Sequence, residues 1–177
     1  MPRVSTLLLS LTVFLAAPAS AQETVVEFYE VEGDTFTELM RSIGRDGPFA
    51  KRTGRRHPGI TEVGFGPSWT VRPSSDGCDL VSTTVDLRLR IVLPRWPDRA
   101  EAPPALRRRW DELRSDVETH EREHEAIARR WHLAMLDELN APRSARTCPA
   151  LNAAMEARAR RLIDAHRREQ LAFDGIR

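Results

Sequence analysis

Two histidines separated by one helical turn are the residues of this chain best suited to chemistry. His120 and His124 enclose Glu121 in the pattern H-E-x-x-H. On a helix, histidines four residues apart lie on one face, where both rings can bind the same zinc ion. The glutamate beside the first histidine then reaches a zinc-bound water and accepts its proton. The motif therefore predicts zinc-dependent hydrolysis, with His120 and His124 as ligands and Glu121 as general base.

The motif lies within a long helical pattern. Apolar or histidine side chains recur in steps of three and four from Leu106 to Ala134, which predicts a helix of roughly 35 residues that ends near Asn140. A proline-containing loop follows, and then a second amphipathic helix that extends to about Phe173. Two helices joined by a short loop pack side by side in opposite directions. The sequence thus predicts an antiparallel helix pair that carries the motif.

A catalytic zinc site has three protein ligands and one open position, so a third ligand is needed. His124 and His166 lie equally far from the loop between the two predicted helices, and both occupy an apolar face. In an antiparallel pair they should face each other, which makes His166 the predicted third ligand. Asp174 and Glu169 are alternative ligands on the same part of the chain. The other interpretation of His166 is a capped or solvent-facing side chain.

The first half of the chain has a different period. Apolar residues alternate from Val63 to Val71 and from Val81 to Leu93, which predicts two strands that each bury one face. The turn residues between them, Pro73 to Gly77, predict an antiparallel hairpin. An earlier strand is predicted over Val25 to Val31. The predicted fold class is α+β, with a small antiparallel sheet and a short helix packed on the long helix pair.

Three short segments complete this prediction. They are a capped helix from Thr35 to about Ile43, a loop from Gly44 to Gly59, and a proline-rich linker from Pro94 to Pro104. His57 lies in the predicted loop and is given no role. His132 lies about 80° around the long helix from His124 and is predicted to be exposed.

The N-terminus is typical of a secretory signal peptide. A positive start at Arg3, an apolar run from Leu7 to Ala17 and the small residues of Ala19-Ser20-Ala21 predict cleavage after residue 21. The apolar run is too short to span a membrane, although an uncleaved anchor is the alternative. We therefore expect a single domain at residues 22–177 in the periplasm or outside the cell.

The numbers of cysteines and charged residues indicate a disulfide and limit the classes of binding partner. In an exported protein the two cysteines, Cys78 and Cys148, predict a disulfide, with metal ligation by the thiolates as the alternative. The 27 Lys and Arg residues are balanced by 26 Asp and Glu residues, so no net positive field attracts nucleic acid. We expect a protein or peptide substrate and no nucleic-acid partner.

Several residues along nearly the whole predicted mature chain carry a family resemblance. In order they are Tyr29-x-Val31-x-Gly33, Glu38-Leu39, Gly47-Pro48, Trp69, Gly77-Cys78, Leu93-Pro94-x-Trp96, Trp110, His120-Glu121-x-x-His124, Cys148 and Phe173-Asp174. In this order and spacing the sequence resembles the bacterial domain of unknown function 922 family, whose members are described as predicted secreted zinc-dependent proteases. The resemblance implies a zinc peptidase with one zinc ion.

The sequence departs from that family after the aromatic-Asp pair. Family members continue with Thr-x-His-Gly, whereas Gly175-Ile176-Arg177 follows here. The expected zinc site therefore uses His166 or Asp174 in place of the tail histidine; weak metal binding or loss of activity are the alternatives. Two further functions stay open, namely zinc-dependent amide hydrolysis on peptidoglycan and a non-catalytic periplasmic binding or scaffolding module with a degenerate or structural metal site.

Overall fold

The computed structural model describes residues 23–51 and 53–176, and the predicted signal peptide, residues 1–21, lies outside them. The helices are α1 (Phe36–Asp46), α2 (Pro104–Asn140) and α3 (Cys148–Phe173), with a 3₁₀ helix at Pro97–Glu101. The strands are β1 (Thr24–Glu30), β2 (Phe49–Ala50), β3 (Arg55–Arg56), β4 (Ile60–Ser74), β5 (Gly77–Arg95) and β6 (Ser144–Ala145). Within the described residues, no helix is long and apolar enough to cross a membrane.

Strands β4 and β5 form the antiparallel hairpin that the alternating pattern predicts. Val85, Leu87 and Leu89 of β5 are buried, whereas Asp86 and Arg88 between them are exposed. Because successive side chains of a strand point to opposite faces, this alternation gives the hairpin one apolar face. That face packs against the long helices and holds β4 beside α2.

The sheet is mixed, whereas the sequence predicts an antiparallel one. The strand order is β1-β5-β4, and β1 runs parallel to the second half of β5. The chain between β1 and β5 contains α1 and the whole of β4, and a connection of this length allows two strands to pair in parallel. The short β6 pairs with the beginning of β5. The α+β class is confirmed.

Two segments that the sequence predicts as irregular contain regular structure. The capping box of Thr35 and Glu38 begins α1 as predicted, but α1 continues to Asp46. Strands β2 and β3 then form a small antiparallel ribbon inside the predicted loop. In the predicted linker, β5 extends beyond Pro94, and the 3₁₀ helix follows. Strands of two residues are too short to produce an alternating pattern, so the sequence does not reveal the ribbon.

The helices α2 and α3 pack antiparallel, as their apolar stripes predict. Residues late in α2 meet residues early in α3: Glu138 pairs with Arg158, whereas His124 contacts Gln170 near the end of α3. A buried apolar cluster fills the space between the helices and β5. Its largest members are Val85, Met135, Leu139, Leu151 and Met155.

The predicted disulfide joins Cys78 at the beginning of β5 to Cys148 at the beginning of α3, with the two Cα atoms 5.0 Å apart. Thiolate ligation by this pair is thereby excluded. Thr147 caps α3 beside the disulfide, since its hydroxyl accepts a hydrogen bond from the N–H of Ala150. The disulfide therefore anchors the start of α3 to one end of the sheet.

Removing this disulfide is expected to lower the free energy of unfolding by about 4 kcal/mol, because it closes a long loop in the unfolded chain. The separation of the two cysteines in the sequence is 70 residues. The measurement is urea unfolding of the Cys78→Ala, Cys148→Ala double variant beside the oxidised wild type. A loss below about 1 kcal/mol would contradict the expected effect of loop closure.

Candidate metal centre

The two histidines of the motif meet on the inner face of α2. Their Nε2 atoms are 3.2 Å apart, and their rings meet edge to face with centroids 4.9 Å apart. His124 is buried, whereas His120 is partly exposed. The four-residue spacing thus brings both imidazole nitrogens to one point, as the sequence predicts.

Asp174, at the end of α3, supplies a third donor atom at the same point. Its Oδ1 lies 2.9 Å from Nε2 of His124 and 3.3 Å from Nε2 of His120. Together these three side chains form a group that could hold a metal ion. The sequence gives Asp174 as an alternative third ligand, and the structure brings it to the two histidines.

The way α3 ends fixes the position of Asp174. Gly175 follows it with a φ of +69°, the left-handed conformation that glycine adopts most readily. The N–H of Gly175 donates to the carbonyl of Ala172, and the N–H of Ile176 donates to the carbonyl of Leu171. This is a Schellman motif, which closes the last helical turn and leaves Asp174 as the capping residue. The chain therefore places the carboxylate about one turn beyond Gln170.

An aromatic ring supports the two histidines from the side of α3. Phe173 stacks on the ring of His120 with an interplanar angle of 26°, and it meets the ring of His124 edge to face. Both ring centroids lie 4.9 Å from that of Phe173. This packing restricts the partly exposed His120 ring to an orientation that keeps its Nε2 near Asp174.

Glu121 lies beside the three donor atoms and is only 5% exposed. The hydroxyl of Thr61 in β4 donates to Oε2 of Glu121 at 2.8 Å and also lies 2.9 Å from its backbone oxygen. A Cβ atom on Gly59 would be 3.0 Å from Oε1 of Glu121, so the absence of a side chain there makes room for the carboxylate. Burial raises the pKa of Glu121, and the hydrogen bond from Thr61 partly offsets this.

His166 lies one helical turn before Gln170 and is not in the three-residue group. It is buried, and its Nε2 is 2.9 Å from Nε2 of Gln170. Gln170 in turn contacts Nδ1 of His124. The sequence predicts His166 as the third ligand, whereas the structure places it next to Gln170 and outside the three-residue group. Burial lowers the pKa of His166 to about 4.

The other candidate residues lie around the site in different ways. Glu169 accepts a hydrogen bond from the indole N–H of Trp131 at 2.6 Å and is not in the metal-binding group. His132 is half-buried and lies 2.7 Å from the carbonyl of Val85, so the prediction that it is exposed is wrong. His57 lines the same cleft as the motif, although the sequence gives it no role.

The candidate metal-binding group opens into a cleft of about 450 Å³ between α2, α3 and β4. Consecutive residues 60–63 of β4 line this cleft, together with Phe65 and Ile163. Because neighbouring side chains of a strand point in opposite directions, such a run indicates that the edge of β4 borders the cleft. Within the described residues, β4 pairs with β5 on its other edge. The site thus has a cleft beside an edge strand.

The family model for bacterial proteins of unknown function, DUF922, matches residues 26–176. The chain belongs to this family. No curated protein and no solved structure matches the chain. The resemblance to DUF922 that the sequence motifs carry is therefore confirmed, and its chemistry has to be argued from the site.

The sequence does not predict two residues of this DUF922 site, Gln170 and Thr61. Gln170 lies four residues after His166 and four before Asp174, so helical spacing alone puts all three on one face. That spacing is the signal that could have indicated it. Thr61 carries no such signal, because it meets Glu121 only through the packing of β4 against α2.

Proposed function

We propose that this DUF922 protein is an exported zinc-dependent peptidase in which His120, His124 and Asp174 hold the metal and Glu121 is the general base. The observation that carries the proposal is the convergence of three donor atoms beside a buried glutamate in one cleft. The predicted signal peptide and the disulfide support export.

The donor set fits zinc. Two imidazole nitrogens and one carboxylate oxygen are ligands that zinc takes in catalytic sites, with a fourth position open. Ligand atoms at about 2.0–2.1 Å from a tetrahedral zinc are about 3.3 Å from one another. The three separations observed here are 2.9, 3.2 and 3.3 Å. When bound, zinc lowers the pKa of a water toward 7 and polarises the carbonyl of the substrate.

Glu121 moves the proton in this proposal. Its carboxylate accepts a proton from the attacking water and later donates it to the leaving amine. Because burial raises the pKa of Glu121, its carboxylate is a stronger base than that of an exposed glutamate. The hydroxyl of Thr61 holds one carboxylate oxygen and leaves Oε1 for the proton transfer.

A polypeptide substrate is supported by the cleft. An extended peptide can add to the edge of β4 through backbone hydrogen bonds and would then pass the metal-binding group. Val63, Phe65 and Ile163 supply apolar surface for its side chains. A peptide crosslink in peptidoglycan contains the same kind of amide bond. Assays on an unfolded polypeptide and on peptidoglycan therefore distinguish the two substrates.

A non-catalytic binding or scaffolding module is the competing function. It gives no reason for burying the carboxylate of Glu121, which accepts a hydrogen bond from Thr61, since burying a carboxylate is costly. Perturbed acids beside a metal-binding group in a cleft are typical of catalytic sites. The buried glutamate is therefore the observation that favours an enzyme.

The test is metal content and hydrolysis together. Protein purified without chelator is expected to contain about one zinc per chain and to hydrolyse an unfolded polypeptide. Dialysis against a chelator should remove both the zinc and the hydrolysis, and added zinc should restore both. Protein that takes up no zinc on titration would refute the proposal, and zinc binding without hydrolysis of protein or peptidoglycan would favour the binding module.

A further inference from the structure

The side-chain amide of Gln170 connects three groups at the base of the proposed metal site. It is buried, with 7% of its surface exposed. Its Nε2 is 3.0 Å from the backbone oxygen of His124 and 2.9 Å from Nε2 of His166. Its Oε1 contacts Nδ1 of His124. Each polar atom of the amide therefore has a partner.

The partners determine which way the amide faces. A backbone carbonyl can only accept a hydrogen bond, so the group of Gln170 that faces the carbonyl of His124 must be its NH₂. The oxygen Oε1 then faces Nδ1 of His124. Because Oε1 can only accept, Nδ1 of His124 must carry the proton.

The protonated Nδ1 has a direct consequence for metal binding. A neutral imidazole with its proton on Nδ1 has its lone pair on Nε2. In His124 this is the atom that faces His120 and Asp174, at 3.2 and 2.9 Å. Gln170 thus selects the tautomer in which His124 is ready to bind a metal.

The second hydrogen of the same NH₂ group determines the role of His166. That hydrogen points at Nε2 of His166, which must accept it with its own lone pair. The ring is held in place by Phe65, with centroids 4.9 Å apart, and by Trp131, with centroids 6.5 Å apart. The lone pair that a metal would need is therefore already used by Gln170.

We infer that Gln170 and His166 are positioning residues: Gln170 fixes the tautomer and orientation of the metal ligand His124, and His166 fixes the amide of Gln170. This inference rests on the proposed metal site. Partners of this kind behind a ligating histidine typically change metal affinity by 10-fold to 100-fold. The role assigned to His166 differs from that of a third ligand, and the difference is measurable.

The experiment combines zinc affinity, measured by competition with a chromophoric chelator, with ¹⁵N NMR of the histidine rings in metal-free protein. In the wild type, the rings of His124 and His166 are both expected to be protonated on Nδ1. Gln170→Leu removes every hydrogen bond of the Gln170 side chain. It should lower zinc affinity about tenfold or more and leave His124 as a mixture of tautomers. Gln170→Glu keeps the acceptor for Nδ1 of His124 but loses both N–H donors, so His124 should stay protonated on Nδ1, unlike in Gln170→Leu, while zinc affinity falls.

His166→Phe keeps the ring packing and removes the acceptor, so its loss of affinity should be smaller than that of Gln170→Leu. The matched control is His132→Phe, which removes a histidine on α2 that contacts Val85 and not the site. A His124 ring without a proton on Nδ1 in the wild type would overturn the inference, as would unchanged affinity in Gln170→Leu. A loss in His166→Phe as large as that in His124→Ala would make His166 a ligand. Wild type without zinc affinity refutes the proposed function, while the tautomers still test the inference.

Discussion

Replacement of Glu121 by Gln is expected to lower kcat for peptide hydrolysis about 10³-fold and to leave zinc affinity within about twofold of the wild type. The amide has nearly the shape of the carboxylate and can still accept the hydrogen bond from Thr61, so the fold has no reason to change. It cannot accept a proton from the attacking water. The effect should therefore fall on kcat and not on metal binding.

The matched control for this variant lies within the same motif. Glu123 is on the outer side of α2, where it is half-exposed and 3.5 Å from Arg130, and Glu123→Gln should keep wild-type kinetics. Initial rates are measured on an unfolded polypeptide and on isolated peptidoglycan, beside zinc affinity and thermal unfolding. Equal rates for Glu121→Gln and the wild type would exclude Glu121 as the base, and a loss on peptidoglycan alone would identify the cell wall as substrate.

The elements that position the site could be predicted from periodicity. Alternation along β5 and steps of three and four along α2 each follow from burial of one face, and both patterns continue for many residues. The sequence therefore reveals the hairpin, the helix pair and the common face of His120 and His124. The β2–β3 ribbon and the parallel pairing of β1 have no such pattern, because two residues are too few and pairing direction depends on the path of the chain.

The residue of α3 that lies opposite His124 could not be predicted from the sequence. Equal distances from the loop predict His166 opposite His124, whereas the structure has Gln170 there, one turn later. The connection between α2 and α3 is not a simple turn, since β6 pairs with the beginning of β5 and the disulfide holds Cys148 there. The start of α3 is thus displaced by about one turn, or about 5.4 Å.

This displacement exchanges the roles of residues that share one face of α3. His166, Gln170 and Asp174 are successive residues at four-residue spacing, so a shift of one turn replaces each by the next. Asp174 therefore lies with His120 and His124 in the group that could hold a metal ion, and His166 lies next to Gln170 outside that group. The residue types that could bind zinc are visible in the sequence, but the choice among them depends on long-range contacts.

Asp174→Asn is therefore expected to lower zinc affinity about 10³-fold. Structural zinc in zinc-finger peptides contributes about 10–16 kcal/mol, which divided among its four protein ligands is about 2.5–4 kcal/mol for each, and the upper end corresponds to about 10³-fold in affinity. The amide keeps the shape and the capping position at the end of α3 but lacks the charge that makes a carboxylate a zinc ligand. Zinc affinity is measured by chelator competition, and cobalt substitution reports the coordination through its visible absorption.

Two comparisons make this result specific to the third ligand. Asp164→Asn changes an exposed carboxylate on the same helix, 3.2 Å from Arg167, and should leave zinc affinity unchanged. His166→Phe should lose far less affinity than Asp174→Asn, because Nε2 of His166 faces Gln170. Loss of all zinc in His166→Phe, with zinc retained in Asp174→Asn, would contradict this prediction. His166 and not Asp174 would then be the third ligand. The relative size of these two losses thus decides between a His₃ site and a His₂Asp site.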